Sequence, residues 1–215
     1  ALPESRSIES EGNNPLKIIL EDKISRGEQM LIFVSTRAST KKEARELSQH
    51  ILKILSKDCL EIESELKEGW ERLANGILGK GDTTETVRSL AKYLRGGVAF
   101  HHAGLSSKHR KIVEESFKRG EIFCIVATPT LAQGVNLPSR TVVIRDFKRW
   151  PTGELPVREI LQMMGRAGRP KYDQRGESWI LVRENDPFGA ERAEKIADKY
   201  FHGKTEDIES KLSNR

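Results

Sequence analysis

The sequence has few of the features that mark secreted, membrane-spanning or metal-binding proteins. Only two of its 215 residues are cysteine, and Cys59 and Cys124 lack the CxxC spacing of a zinc site. Two such thiols also argue against a disulfide scaffold and fit a reducing cytoplasm. No apolar run approaches the ~18 residues that a membrane helix needs. We therefore expect a cytoplasmic protein with no metal site and no membrane partner.

The sequence also lacks the GxxxxGK[ST] loop with which many nucleotide-binding proteins hold phosphates. The string GILGKG at residues 76–81 has a different spacing, and Asp82 follows it. Any contact of this chain with a nucleotide must therefore use other residues.

The formal net charge of +5 is unevenly distributed. A basic excess is confined to residues 95–184, whereas residues 58–94 are acidic on balance. Such a local excess indicates a surface for nucleic acid or for nucleotide phosphates. A solvated face without function is the alternative, and charge alone does not decide between them.

Short apolar runs alternate with amphipathic segments along the chain. Five runs are typical of strands buried on both faces of a parallel sheet, at residues 30–34, 98–100, 123–127, 141–144 and 179–182. Helical segments between them predict βαβ crossovers and a three-layer α/β domain with a mainly parallel sheet. The first of these helices is expected to begin with a capping box, Thr40-Lys41-Lys42-Glu43.

The same patterns suggest how the chain is divided. The polar residues 1–14 predict a tail or linker, and residues 15–186 predict one α/β domain. Within that domain, residues 58–94 read as a mainly helical insertion. Residues 187–215 are predicted to be helical and polar, and they are too few to form a domain of their own.

Two loops that follow buried strands carry residues suited to phosphate binding. Ser35-Thr36-Arg37 combines hydroxyls, free amides at a helix N-terminus and a cation. The loop over residues 127–138 contains Thr128, Gly134 and Asn136. Its glycine permits close backbone approach, and its asparagine can bond a ribose. Plain turn and cap residues, or an ordinary proline-rich loop, are the alternatives.

A third segment, residues 162–170, pairs an amide with two cations. Arg166 and Arg169 are three residues apart and would share one face of a helix, one turn beyond Gln162. Two fixed guanidinium groups suit the terminal oxygens of a triphosphate, because each can form forked hydrogen bonds. A surface helix that ends in a glycine cap is the alternative.

Taken in order, these three segments resemble motifs IV, V and VI of superfamily 2 helicases. The strings HHAGL at 101–105 and VATPTLA at 126–132 are similar to the Ski-like branch and, within it, to the archaeal Hjm-type DNA helicases. The likeness covers roughly residues 28–212. It implies a second RecA-like lobe of an ATP-dependent DNA helicase, with 3′-to-5′ unwinding at replication forks and in recombination repair. Residues 187–215 resemble the start of the winged-helix region that follows the motor in this family.

The resemblance also implies roles for single residues around the nucleotide. Arg166 and Arg169 match arginines that reach the γ-phosphate from the opposite lobe, and Gln162 matches a glutamine near the same phosphate. Gly134 and Asn136 match positions that face the nucleotide.

Contacts with the nucleic-acid strand are implied for a second set: Ser35, Thr36, Arg37, Arg110 and Thr128. His101 and His102 belong to the family string as well. For both histidines we expect a buried structural position rather than chemistry, since neither has metal-ligand partners at a suitable spacing.

The segment over residues 146–155 lies where Hjm-type helicases have a β-hairpin that splits the duplex. Phe147, Lys148, Arg149 and Trp150 place aromatic rings beside cations, ahead of a Pro-x-Gly turn. Such a tip suits stacking on the first unpaired base. A plain surface connection is the alternative.

In the family, the first RecA-like lobe carries the phosphate loop and an Asp-Glu-x-His magnesium motif, and neither occurs in this sequence. The resemblance therefore implies that ATP and Mg²⁺ are held mainly by a first lobe of the same polypeptide and that this chain alone is inactive. Single-stranded or forked DNA is the implied partner. A Ski-like RNA helicase lobe and a non-catalytic nucleic-acid-binding module remain open.

Overall fold

A computed structural model describes residues 8, 14–58, 60–79, 84–149, 153–168, 175–182 and 194–202. Its helices are α1 (Pro15–Ser25), α2 (Arg37–Asp58), α3 (Leu60–Leu78), α4 (Glu85–Leu94), α5 (Ser107–Lys118), α6 (Thr130–Gly134) and α7 (Val157–Met164). Its strands are β1 (Met30–Phe33), β2 (Val98–His101), β3 (Cys124–Ala127), β4 (Thr141–Ile144), β5 (Lys148–Arg149), β6 (Gly153–Glu154) and β7 (Glu177–Ile180). A π-helical turn, Asp198–His202, is the last described element.

Five strands form one sheet in the order β2-β3-β1-β4-β7, and each neighbouring pair is parallel. β1 lies at the centre, where Met30 is opposite Cys124 of β3 and Thr141 of β4. Every residue of β1 to β4 is buried. Because successive side chains of a strand point to opposite faces, both faces of the sheet are covered. The predicted α/β class with a mainly parallel sheet is confirmed.

The predicted helical insertion is also confirmed, as α3 and α4. Trp70 of α3 anchors it: the ring is almost fully buried, its Nε1 donates to the Glu121 carbonyl at 2.9 Å, and it meets Phe123 edge-on. Gly97 has a φ of +70°, and a Cβ there would lie 2.5 Å from the Trp70 ring. Glycine is therefore required at the point where the insertion returns to β2.

Helix α1 was not predicted from the sequence. Asn14 caps it by accepting from the Leu16 amide at 3.1 Å, and Pro15 occupies its first turn. Leu16 and Leu20 are fully buried in the common core. The Asn-Pro pair is a standard helix-start signal and could have revealed this helix.

The predicted capping box at the start of α2 is wrong. The helix begins at Arg37, and the Thr36 hydroxyl caps it by accepting from the Ser39 amide at 3.0 Å. Thr40 lies inside the first turn, where its hydroxyl donates to the Arg37 carbonyl at 2.7 Å. A cap four residues earlier satisfies the free amides directly after β1.

Toward the C-terminus, the last strand of the sheet differs from its prediction. β7 occupies residues 177–180 rather than 179–182, with Glu177 opposite Thr141, and as an edge strand it is only half-buried. Residues 194–197 are helical, as predicted, and lead into the π-helical turn. The rest of the predicted tail falls outside the described residues.

Candidate nucleotide and nucleic-acid interface

The loops after β1, β2, β3 and β4 lie side by side at the carboxyl edge of the sheet. The Val34 amide donates to the Ala127 carbonyl at 2.9 Å, and the Thr128 amide donates to the His101 carbonyl at 3.2 Å. Parallel strands place their carboxyl ends at one edge, which is where ligands bind in open α/β sheets. The candidate strand-binding residues Ser35, Thr36, Arg37, Arg110 and Thr128 all follow the strands at this edge.

Ser35 is hydrogen-bonded to Asp146, which lies in the loop after β4. Its amide and its hydroxyl both donate to one carboxylate oxygen of Asp146, at 2.8 and 3.1 Å. The expected free amide at this position is therefore wrong. Thr36 uses its hydroxyl as the helix cap, whereas the Arg37 side chain is exposed to solvent.

Asp146 and Arg145 form a partly buried ion pair that the sequence analysis missed. Arg145 donates to both carboxylate oxygens of Asp146, at 2.8 and 2.6 Å, and also pairs with Glu43 of α2. Burial acts to raise the pKa of Asp146, but the hydrogen bonds from Arg145 and Ser35 outweigh it and lower this pKa. The cluster ties the loop after β1 to the start of the β5–β6 hairpin.

Arg37 packs over the loop after β2. A Cβ at Gly104 would lie 3.0 Å from the His102 ring and 3.4 Å from a guanidinium nitrogen of Arg37. His102 stacks on Phe100 with ring centres 5.3 Å apart, and its Nδ1 accepts from the Gly104 amide. Glycine at 104 therefore lets the arginine approach the histidine closely.

Both histidines of the HHAGL string are buried, as expected. Burial, with Arg37 and Lys41 nearby, lowers the pKa of His102 to about 4. His101 contacts Glu114 through Nε2 at 2.8 Å, and burial lowers its pKa as well. The described part of the chain contains no group of three or more His, Cys, Asp or Glu side chains that could hold a metal ion.

The two other strand-contact candidates differ in accessibility. Arg110 of α5 is half-buried and donates to the Ser107 hydroxyl at 3.2 Å. Thr128 is 9% exposed, and its hydroxyl lies 2.9 Å from that of Thr130. Arg37 and Arg110 are thus the more accessible cations of this edge.

Arg166 belongs to a second cluster, away from the carboxyl edge. Its backbone lies at the amino edge: Ser139, which precedes β4, donates to the Arg166 carbonyl at 2.9 Å and to the carbonyl of Gln29 before β1. Its side chain turns back to the 127–138 loop, where the guanidinium donates to Asn136 Oδ1 at 3.2 Å and to the Ala132 carbonyl. The structure therefore joins two of the predicted nucleotide-facing residues directly.

The predicted helical pairing of Arg166 with Arg169 is wrong. α7 ends at Met164, so that Arg166 lies in the turn beyond it. Gly168 has a φ of +91°, which ends any helical continuation. Arg169 itself lies outside the described residues. Gln162 is exposed on the last turn of α7.

Gly134 ends the short helix α6 and is exposed. A Cβ built at this position meets nothing within 4 Å. Packing within the lobe therefore does not require glycine there, and the backbone is open to approach from outside.

The predicted hairpin is present as β5 and β6, which pair antiparallel with Lys148 opposite Glu154 and Arg149 opposite Gly153. One of its predicted tip residues is placed differently: Phe147 is 8% exposed and packs in the core, so it cannot stack on a base. Lys148 is exposed, with Nζ 5.8 Å from the centre of the Phe147 ring. Trp150 lies outside the described residues, and the Arg149 side chain is likewise not described.

Comparison with known proteins shows that this chain is similar to helicases. Residues 80–171 match the family described as "Helicase conserved C-terminal domain". The chain is 42% identical over 204 residues to "ATP-dependent DNA helicase Hel308" of Pyrococcus horikoshii, which covers 94% of the chain and 26% of that relative. Proteins of the same name from Methanocella arvoryzae and Pyrococcus abyssi are 37% and 38% identical over 97% and 95% of the chain, and each is covered over 27% of its own length.

The chain thus spans about a quarter of the length of these relatives. None of the helices that the structure describes combines the length and the apolar character needed to cross a bilayer.

Proposed function

Because this chain belongs to the superfamily 2 helicases as a second RecA-like lobe similar to that of the Hel308 enzymes, we propose that it is one half of an ATP-driven DNA motor. In this proposal the motor unwinds duplexes 3′ to 5′ at replication forks and in recombination repair. The contact between Arg166 and Asn136 is the observation that carries it, since it places a cation among the residues expected to face the nucleotide.

The Arg166 guanidinium is held by neutral groups. It donates to an amide oxygen and to a backbone carbonyl, and no carboxylate pairs with it among the described residues. Its positive charge is thus left to act on a ligand. We propose that Arg166, with Arg169 and Gln162, stabilises the charge on the transferred phosphoryl group across the cleft between two lobes.

Gly134 and Asn136 complete the nucleotide side in this proposal. The open backbone at Gly134 admits close approach, and Asn136 orients Arg166. Most of the ATP and its Mg²⁺ is assigned to the first lobe, where the bound Mg²⁺ would screen phosphate charge.

At the carboxyl edge we propose that Arg37 and Arg110 contact strand phosphates, with Ser35, Thr36 and Thr128 supporting the loops. The support for this is that both cations follow strands at one edge and neither is fully buried. The hairpin next to this edge is proposed to separate the strands, using Lys148, Arg149 and Trp150.

The proposal is tested by the nucleic-acid dependence of ATP hydrolysis. The purified chain should hydrolyse no ATP with or without DNA, whereas a protein carrying both lobes should show DNA-stimulated turnover. Turnover by the chain alone would overturn the single-lobe assignment.

Two rival functions are separated by the same assay. Stimulation and unwinding with RNA but not with DNA would identify an RNA helicase lobe. Strand binding without any turnover in the two-lobed protein would identify a non-catalytic module. Arg72→Ala, an exposed change on α3, is the control and should leave turnover unchanged.

A further inference from the structure

We propose that Tyr200 is a positioning residue that fixes the base of the β5–β6 hairpin and thereby ties strand separation to the segment behind the motor lobe. This inference rests on the proposed helicase function. It concerns the π-helical turn Asp198–His202, which the sequence analysis compared only with the start of a winged-helix region and to which it gave no part in unwinding.

The hydroxyl of Tyr200 reaches the hairpin directly. It donates to the Leu155 carbonyl at 2.8 Å, and both side chains are almost fully buried. The Leu155 amide in turn donates to the Phe147 carbonyl at 2.8 Å. Since Phe147 precedes β5 and Leu155 follows β6, Tyr200 is hydrogen-bonded into the closing pair of the hairpin.

A second contact lies on the exposed side of the same turn. Lys199 Nζ donates to Glu154 Oε2 at 2.9 Å, with both side chains more than a third exposed. An exposed ion pair of this kind adds little by itself. It nevertheless means that two adjacent residues of the turn, Lys199 and Tyr200, contact two adjacent residues of the chain, Glu154 at the end of β6 and Leu155 after it.

The hairpin needs an external hold because it is very short. Among the residues that the structure describes, two residue pairs join β5 and β6, and an isolated two-stranded ribbon is marginally stable in water. The buried Leu155 carbonyl accepts from the Tyr200 hydroxyl, so loss of that hydroxyl removes the donor of a buried acceptor. A wedge must keep its orientation to split a duplex, whereas closure of two lobes around ATP does not depend on it.

The test uses Tyr200→Phe in a protein that carries both motor lobes. This change keeps the ring and removes the hydrogen bond to the Leu155 carbonyl. The control is Tyr93→Phe: Tyr93 packs edge-on against Phe100, and its hydroxyl bonds none of the residues that the structure describes. Lys199→Ala provides a second variant that leaves the core untouched.

Two readouts are needed, and the first does not require helicase activity. Hydrogen–deuterium exchange at the hairpin amides should rise roughly 5- to 30-fold in Tyr200→Phe, as expected for one lost buried hydrogen bond, and stay at the wild-type rate in Tyr93→Phe. The second readout is the number of base pairs opened per ATP hydrolysed. It should fall several-fold in Tyr200→Phe and to a smaller extent in Lys199→Ala, with DNA-stimulated ATP hydrolysis unchanged.

The outcomes separate this inference from the proposed function. Equal loss of unwinding and hydrolysis would show that Tyr200 only stabilises the lobe, and unchanged exchange would show that it does not hold the hairpin. Faster exchange with normal unwinding would overturn the link to strand separation. A wild-type two-lobed protein that hydrolyses ATP without unwinding DNA would instead contradict the proposed function.

Discussion

Asp146 binds both the amide and the hydroxyl of Ser35 through a single carboxylate oxygen, and this joins the end of β1 to the root of the hairpin. The other side of the carboxylate is held by the Arg145 guanidinium. The Ser35 groups that were predicted to bind phosphate are therefore already hydrogen-bonded to a carboxylate of the same lobe. An acid at this point fixes the loop and leaves Arg37 as its exposed cation.

The first prediction concerns Asp146→Asn, which keeps the shape of the side chain and removes its charge. We expect the free energy of unfolding at pH 7 to fall by about 1–3 kcal/mol, because Arg145 loses a charged partner in a partly buried site. The pKa of Asp146 is lowered from its usual 3.8, so its contribution is present above that pH and is lost as the pH falls through the lower folded value. Urea unfolding at pH 7 and pH 3 measures both effects.

The difference between variant and wild type should therefore shrink toward pH 3. Glu115→Gln, which breaks an exposed pair with Lys118, is the control and should change stability by less than about 0.5 kcal/mol. A difference that is independent of pH would show that the Asp146 charge does not stabilise the fold.

The second prediction concerns His102, whose pKa is lowered from 6.5 to about 4. The unfolded chain takes up the proton first as the solution is acidified, so stability should fall by up to roughly 3 kcal/mol between pH 6.5 and pH 4. His102→Asn keeps an acceptor for the Gly104 amide and does not titrate. It should make the free energy of unfolding fall less steeply over this range, measured at pH 7, 6 and 5. If the free energy of unfolding fell as steeply with pH in this variant as in the wild type, His102 would not contribute to the loss of stability in acid.

The strands of the sheet could be predicted from the sequence more completely than the contacts between its loops. Buried apolar runs revealed four of the five sheet strands almost to the residue, because a strand covered on both faces has no polar position. The 127–138 loop and the hairpin were also found. The break after α7 was missed because Arg166 and Arg169 have helical spacing, whereas the helix ends at Met164 and Gly168 has a φ of +91°. The Ser35–Asp146 contact joins residues 111 apart, which no local pattern reports.

The third prediction is that the lobe binds single-stranded DNA through Arg37 and Arg110 and loses affinity steeply with salt. Each phosphate contact releases counterions, so Arg37→Ala or Arg110→Ala should each lower the slope of log K against log salt by about 0.7. Fluorescence anisotropy of a labelled oligonucleotide at several salt concentrations measures this slope. Arg72→Ala on α3 is the matched control. Binding that does not respond to salt would contradict the strand-contact assignment.

The fourth prediction separates the hairpin from the motor. Deleting residues 148–153 in a two-lobed protein should abolish most unwinding and leave DNA-stimulated hydrolysis largely intact. The deletion removes the hairpin, whereas Arg37, Arg110 and Arg166 remain in place. Unwinding of a forked duplex and ATP hydrolysis are measured on the same preparation. Parallel loss of both activities would make the hairpin a structural element.

The fifth prediction addresses Arg166, the centre of this account. Arg166→Ala in the two-lobed protein should lower the turnover number by roughly 10³–10⁵, as for arginines that act across a cleft. Arg166→Lys should recover little of the lost turnover, because an ammonium group cannot form the paired hydrogen bonds to two oxygens that a guanidinium forms. Asn136→Ala should cause an intermediate loss, since it releases the guanidinium from one partner. The resemblance to the family predicts a loss for Arg169→Ala that is similar to that of Arg166→Ala.

The most direct test measures kcat for DNA-stimulated hydrolysis beside the Kd for ATP in wild type, Arg166→Ala and the Arg72→Ala control. If this chain is the second lobe of a helicase motor, Arg166→Ala loses turnover by orders of magnitude while its ATP affinity changes far less, and the control matches wild type. Near-normal turnover in Arg166→Ala would contradict the account.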